Sequence, residues 1–161
     1  PLRRGARRRG MSRSNDLLSA ALRHVRDAEH LFAEGPDQSI DQAYHLAGFG
    51  PECARKACLR ERWGDQALGH RLDGTLDHVL ELMLALDPHA RRYGLEGGAS
   101  AYPALAAWKV ECRYRETARG STLPARTSEA NAAVHEARAV VDDLAWRLLA
   151  DGRVDHGAFA L

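Results

Sequence analysis

The segment HLAGFGPECARKACL, from His45 to Leu59, places polar residues around two glycines and a proline in a stretch of helical apolar spacing. His45 and Glu52 lie two helical turns apart and therefore on one face of a helix. Pro51 has no N–H to donate to the carbonyl of Ala47, so the helix is expected to kink there. The sequence favours a close crossing of two helices at this point. The alternative is a polar site that uses the freed carbonyl beside His45 and Glu52.

The three cysteines, Cys53, Cys58 and Cys112, are an odd number and include no C-x-x-C pair. This pattern argues against a disulfide framework and against a structural zinc site, whose ligands are usually closely spaced. We therefore expect reduced thiols in a cytoplasmic protein, with no metal and no cofactor.

A metal-dependent enzyme built on a helical bundle is a further class to test. Di-iron bundles need Glu-x-x-His pairs, and the sequence contains none. A three-histidine site would require His24, His45 and His135 to converge in the fold.

Apolar residues recur at helical spacing in five segments, and no segment alternates with the period of a strand. The predicted helices begin near Ser14, Ile40, Thr75, Tyr102 and Thr127 or Ser128, and the last one ends at Gly152 as a left-handed cap. The fourth is expected to carry Leu105, Trp108 and Cys112. The prediction is an all-α antiparallel bundle of about five helices with a Gly/Pro-kinked second helix, in which helices one, two and five are long. Trp146 lies at the margin of the last apolar stripe, where it would either join a helix-to-helix dimer or cover its own core.

Charge divides the chain into a basic start and a mildly acidic remainder. Residues 1–13 contain six arginines and no acid, so the rest has a net charge of −5. We expect 1–13 to be a disordered tail, with the natural chain starting at Met11; the alternative is an arm that binds phosphates. Residues 14–152 are then the bundle and 153–161 a C-terminal tail. The 21 arginines against two lysines indicate GC-rich bacterial coding, and no apolar run is long enough to span a membrane.

Three stretches of the sequence match, in order along the chain, the pattern of one family of helical domains. They are His45–Leu59 with Glu52 and Lys56, GHRLDGTLDHVLEL (Gly69–Leu82) with His70, and AWKVECRYRE (Ala107–Glu116) with Trp108, Arg113 and Tyr114. Together they resemble HEPN domains, small helical bundles often found beside nucleotidyltransferases and in defence systems. The resemblance covers roughly residues 14–150.

The resemblance implies a module that dimerises and binds a partner protein, a nucleotide or RNA. Active HEPN ribonucleases carry an Arg-x(4–6)-His motif late in the bundle and need no metal. Here the motif occurs only at Arg23–His30 and Arg71–His78, and chance alone explains these matches because the chain is rich in arginine. Late in the bundle, no histidine follows Arg113 or Arg115 at the required spacing.

We therefore expect a HEPN-like homodimer without catalytic activity, in a toxin–antitoxin or defence system, with an antitoxin or nucleotidyltransferase as partner. Its candidate binding residues are Glu52, Lys56, His70, Trp108 and Tyr114. The alternative is a metal-independent ribonuclease that draws on Arg113, His45, Arg23 and His30. As a structural role, Arg113 is expected to pair with Glu52 or Glu111.

Overall fold

The computed structural model describes residues 13–59 and 87–160, and these residues form five α-helices and no strand. The α-helices are α1 (Arg13–Phe32), α2 (Ile40–Ala57), α3 (Gly98–Ala101), α4 (Pro103–Ala107) and α5 (Leu123–Ala150). Short 3-10 helices span Ala90–Tyr93, Val110–Tyr114, Gly120–Thr122 and His156–Phe159. The predicted all-α fold is confirmed. The predicted third helix, His70 and the Arg71–His78 pair lie outside the described residues.

The three long helices are α1, α2 and α5, and contacts at their ends give their directions. Ser39 N–H donates to the Leu31 carbonyl, and α1 begins beside the end of α2, so α1 and α2 are antiparallel. Arg138 of α5 binds Glu29 near the end of α1, whereas residues after α5 reach the start of α1. Helix α1 therefore runs antiparallel to α5 as well.

The core between these helices is rich in alanine. Its residues are buried apolar side chains at the helical spacing that the sequence predicted. They include Leu18, Ala21, Val25, Ala43, Ala47, Ala54, Ala133, Ala137, Val141, Leu144 and Leu148. Small side chains let the helix backbones approach closely, because interaxial distance depends on the residues at the contact.

The C-terminal end of α2 is held by Arg153. Its guanidinium donates to the carbonyls of Ala57, Cys58 and Leu59 at 3.3, 3.2 and 2.9 Å. Ser14, expected as a helix cap, instead lies inside α1 and donates its hydroxyl to the Ala57 carbonyl at 3.1 Å. These bonds satisfy carbonyls that a helix end otherwise leaves without partners.

Residues after α5 pack onto the helices. Gly152 adopts a left-handed conformation at φ 64°, as the sequence predicted. Val154 and Ala158, in the expected tail, are buried in the same core as α1.

The predicted fourth helix is wrong in its extent. Helix α4 ends at Ala107, and Trp108 and Lys109 have extended backbone angles before the 3-10 turn that buries Cys112. Glu136 of α5 accepts the backbone N–H groups of Ala104 and Leu105 at the start of α4, at 3.2 and 2.9 Å. Helix α5 also starts at Leu123, earlier than predicted, with proline in its first turn.

Helix α2 continues from Ile40 to Ala57 with Pro51 inside it, and the kink at that proline stays a prediction. No helix in the described ranges is long and apolar enough to cross a membrane.

Candidate functional site

Gly48 and Gly50 have different neighbours, which explains why α2 carries both. A Cβ at position 48 would lie 2.1 Å from Cε2 and 2.2 Å from Cδ2 of Trp108. A Cβ at position 50 would lie 2.6 Å from Cγ2 of Val25 on α1. Gly48 therefore makes the space in which the indole lies, and Gly50 allows the close crossing of α1 and α2.

Trp108 completes a histidine–aromatic cluster with His24, His45 and Phe49. The Phe49 ring centroid lies 4.8 Å from that of His45, 5.4 Å from that of Trp108 and 5.7 Å from that of His24. His45 and Trp108 are stacked at 6.1 Å. The cluster thus joins α1, α2 and the residues that follow α4.

The cluster contains buried nitrogen atoms that lack partners. The Nδ1 atoms of His24 and His45 and the indole Nε1 of Trp108 have no hydrogen-bond partner within the described part of the chain. Buried polar groups are usually hydrogen-bonded, so such a concentration marks a candidate functional site.

Both imidazoles are held toward their neutral forms. Burial lowers the pKa of His45, and the positive charges of Arg113 and His24 lower it further. Burial and the nearby Arg23 lower the pKa of His24, although Asp27 and Glu52 act in the opposite direction. At neutral pH each ring therefore offers one N–H donor and one acceptor nitrogen.

Residues 108–118, here called the crossover segment, bring arginines to this site. Arg115 binds the Glu129 carboxylate at 3.0 and 3.2 Å and lies 5.3 Å over the Tyr44 ring. At the end of the segment, the Ala118 N–H donates to Asp41 at 2.8 Å. The segment is therefore tied to both α5 and α2.

Arg113 and Tyr114 are neighbouring exposed residues of the crossover segment. The Arg113 guanidinium lies 4.6 Å from the centre of the Tyr114 ring, and Tyr114 is 74% exposed. The expected ion pair of Arg113 with Glu52 or Glu111 does not form among the described residues, where Arg113 instead stacks on Tyr114. Glu52 instead pairs with Lys56 one turn along α2, and the two side chains are only 14% and 8% exposed.

No protein-family model, curated protein or solved structure matches this chain. The HEPN resemblance therefore rests on the three sequence stretches alone.

The structure brings together His45, Trp108, Arg113 and Tyr114 of the predicted site. Arg23 lies beside His24, whereas His30 is exposed near the end of α1, with Nε2 3.9 Å from Asp37. Arg23 and His30 lie seven positions apart, about 10 Å along the axis of α1, and His30 lies near Asp37 rather than near the cluster. Glu52 and Lys56 form a separate, mostly buried pair.

The described residues contain no group of three histidine, cysteine or carboxylate side chains that would hold a metal ion. His135 is exposed on α5 and forms no such group with His24 and His45. The cysteines are free thiols, and burial raises the pKa of Cys53 to about 11 and that of Cys58 to about 12.

Sequence reasoning named His24 only as a possible metal ligand and did not name Phe49. Phe49 follows His45 by four residues, a spacing that places two side chains together on a helix face. His24 had no comparable local signal, because only the packing of α1 on α2 brings it to Phe49.

Proposed function

We propose that this protein is a HEPN-like helical module that binds RNA or a nucleotide without cleaving it. The binding surface consists of Arg113 and Tyr114 together with the adjacent histidine–aromatic cluster. The observation that supports this proposal is the exposed Arg113–Tyr114 stack beside His45 and Trp108, whose Nδ1 and Nε1 atoms are buried and unpaired within the described residues.

The chemistry of this surface suits single-stranded nucleic acid. Bases stack on exposed aromatic rings and phosphates pair with arginine, in a way that tolerates different sequences. The folded part of the chain is acidic overall, so the binding surface is local rather than a broad basic platform.

The arrangement favours binding over catalysis. Cleavage at a 2′-hydroxyl needs one group to accept a proton and another to donate one near neutral pH. Both histidines have lowered pKa values, which depletes the protonated form that would act as the acid. His45 is also only 9% exposed.

A metal-independent ribonuclease is the second candidate, favoured by one observation. The structure places two histidines and an arginine, His24, His45 and Arg113, in one neighbourhood. This set keeps Arg113 and His45 of the set expected from sequence and adds His24, whereas His30 lies near Asp37 at the end of α1.

The HEPN resemblance also supports a partner protein of the antitoxin or nucleotidyltransferase class, a homodimer and a cytoplasmic location. These remain parts of the proposal, and the neighbouring genes are the direct test of the partner.

A binding and cleavage assay with labelled single-stranded RNA in EDTA tests the proposal. We expect binding, intact RNA, and a loss of affinity of about tenfold or more in Tyr114→Ala, since each stacked base contributes about 1–3 kcal/mol. Arg113→Gln should weaken binding and reduce its salt dependence. Arg26→Gln removes an exposed arginine elsewhere on α1 and is the matched control.

The other outcomes are equally clear. Cleavage that disappears in His24→Gln or His45→Gln would establish the ribonuclease instead. Binding that falls equally in Arg113→Gln and Arg26→Gln would refute the proposed surface, as would no binding at all.

A further inference from the structure

The crossover segment follows α2 in the reverse direction and is held at both of its ends. Trp108 at its start packs against Gly48. The Ala118 N–H at its end donates to Asp41 at 2.8 Å. Positions 41 and 48 lie about 10 Å apart along α2, whereas the ten positions from 108 to 118 could span about 33 Å when extended. The two end contacts alone therefore leave slack in the middle of the segment.

The pair of Arg115 with Glu129 fixes that middle part. Nη1 of Arg115 lies 3.0 and 3.2 Å from the two carboxylate oxygens of Glu129, and the two side chains are only 34% and 33% exposed. The same guanidinium lies 5.3 Å from the centre of the Tyr44 ring. Because Glu129 belongs to α5 and Tyr44 to α2, Arg115 is held between two helices.

Arg126 joins this pair to the end contact of the segment. Its guanidinium binds Asp41 at 3.3 Å and lies 3.9 Å from Glu129. Asp41 is also the acceptor of the Ala118 N–H. Isolated surface ion pairs contribute little, but charges that are joined into a network can hold one geometry.

The position of Arg115 affects the neighbouring tyrosine. The 3-10 helix ends at Tyr114, and Arg115 has extended backbone angles, with φ −65° and ψ 147°. Arg115 binds α5, whereas Tyr114 is 74% exposed and stacks with Arg113. Release of Arg115 from α5 would therefore also change the direction of the Arg113–Tyr114 stack.

We propose that Glu129 is a positioning residue for nucleic-acid binding, which acts through Arg115 and does not itself contact the ligand. This inference rests on the proposed function and names a residue outside its binding surface. A carboxylate repels phosphate, so Glu129 has no direct attraction for the ligand. Its contribution is to hold Tyr114 outward before the ligand arrives, which reduces the ordering that binding would otherwise require.

The sign of one substitution separates positioning from simple charge effects. Removing a negative charge beside a nucleic-acid surface strengthens binding by charge alone. For Glu129→Gln we expect the opposite, a loss of affinity for labelled single-stranded RNA of about threefold or more, which is part of the contribution of a stacked base. Glu116→Gln is the matched control, because Glu116 is an exposed acid of the same segment. This control should leave the affinity unchanged or raise it.

A double-mutant cycle with Tyr114→Ala tests whether Glu129 acts on the stack. In a Glu129→Gln background the tyrosine is no longer held outward, so Tyr114→Ala should reduce the affinity by less than it does in the wild-type chain. A residue that only stabilised the fold would leave the effect of Tyr114→Ala unchanged.

Arg115→Lys tests the same contact from its other side. Lysine keeps the positive charge but loses the planar guanidinium that binds Glu129 and stacks on Tyr44, so the affinity should fall as it does in Glu129→Gln. Circular dichroism checks that each variant stays helical, and Arg115→Lys decides the question by itself if Glu129→Gln unfolds.

The outcomes separate this inference from the proposed function. Equal or tighter binding by Glu129→Gln, while Tyr114→Ala still weakens the wild-type chain, would overturn the inference and leave the proposed surface standing. Full affinity in Arg115→Lys would also overturn it, since the charge of Arg115 rather than its position would then matter. No RNA binding, or binding that Tyr114→Ala leaves unchanged, would overturn both.

Discussion

Substitution of Gly48 by alanine tests whether the space occupied by Trp108 is the reason for a glycine in α2. The new Cβ would lie 2.1 Å from the indole Cε2, whereas carbon atoms pack at about 3.5–4.0 Å. The indole must therefore move by about 1.5 Å or leave its position. Trp108 and Lys109 form a short extended link between helix α4 and the 3-10 helix Val110–Tyr114, so we expect the ring to leave.

The magnitude follows from opposing contributions. A tryptophan buries about 150–250 Å² at full burial, and about half of that at roughly 25 cal/mol per Å² amounts to about 2–3 kcal/mol. Alanine improves helix propensity by about 1 kcal/mol relative to glycine. The net loss in the free energy of unfolding should be about 1–2 kcal/mol, measured by urea denaturation followed by circular dichroism.

A double-mutant cycle isolates the contact. In a Trp108→Ala background the obstacle is absent, so Gly48→Ala should stabilise the protein by about 1 kcal/mol. The change of sign corresponds to a coupling energy of about 2–3 kcal/mol. Gly35→Ala is the control, because no atom lies within 4 Å of a Cβ there, and its effect should stay within about 0.5 kcal/mol. Equal destabilisation by Gly48→Ala in both backgrounds would refute the reasoning.

Three further predictions concern the ends of the helices, the buried ion pair and the histidines. Arg153→Ala should lower the free energy of unfolding by about 2–4 kcal/mol, since it leaves three carbonyls at the end of α2 without their charged donor. Arg153→Lys should recover only part of this stability. A loss within about 0.5 kcal/mol in Arg153→Ala would contradict this role. Lys56→Met should cost about 3–5 kcal/mol by leaving the Glu52 carboxylate buried without its partner, and adding Glu52→Gln should restore most of the loss; a double variant as unstable as the single would contradict the pairing. The lowered pKa values of His24 and His45 mean that the unfolded chain binds protons first as the pH falls below the ordinary value of 6.5. The free energy of unfolding should therefore decrease as the pH is lowered from about 6.5, until the pH is below the folded-state pKa values. Urea titrations at a series of pH values should show a weaker pH dependence in His45→Gln. An unchanged pH dependence would contradict the burial of a neutral His45.

The sequence by itself determined the helical class, the three long helices and the left-handed end at Gly152. These features depend on the local spacing of apolar residues and on the backbone freedom of glycine. Both can be determined from a single segment of the sequence. The same local information singled out Gly48, Gly50 and Pro51 in α2 and favoured a close helix crossing there, which the close approach of Val25 to Gly50 supports.

Only the tertiary structure decided which residues meet. Trp108 lies 60 positions after Gly48 in the chain, and no periodicity predicts that its indole fills the space that the glycine leaves. The predicted fourth helix failed for the same reason, because an extended break at Trp108 and Lys109 lets the indole pack against Gly48 while Cys112 is buried. His24 joined the candidate site through the packing of α1 on α2. Contacts between distant segments depend on helix orientation and on complementary shape, which the local pattern of each helix does not contain.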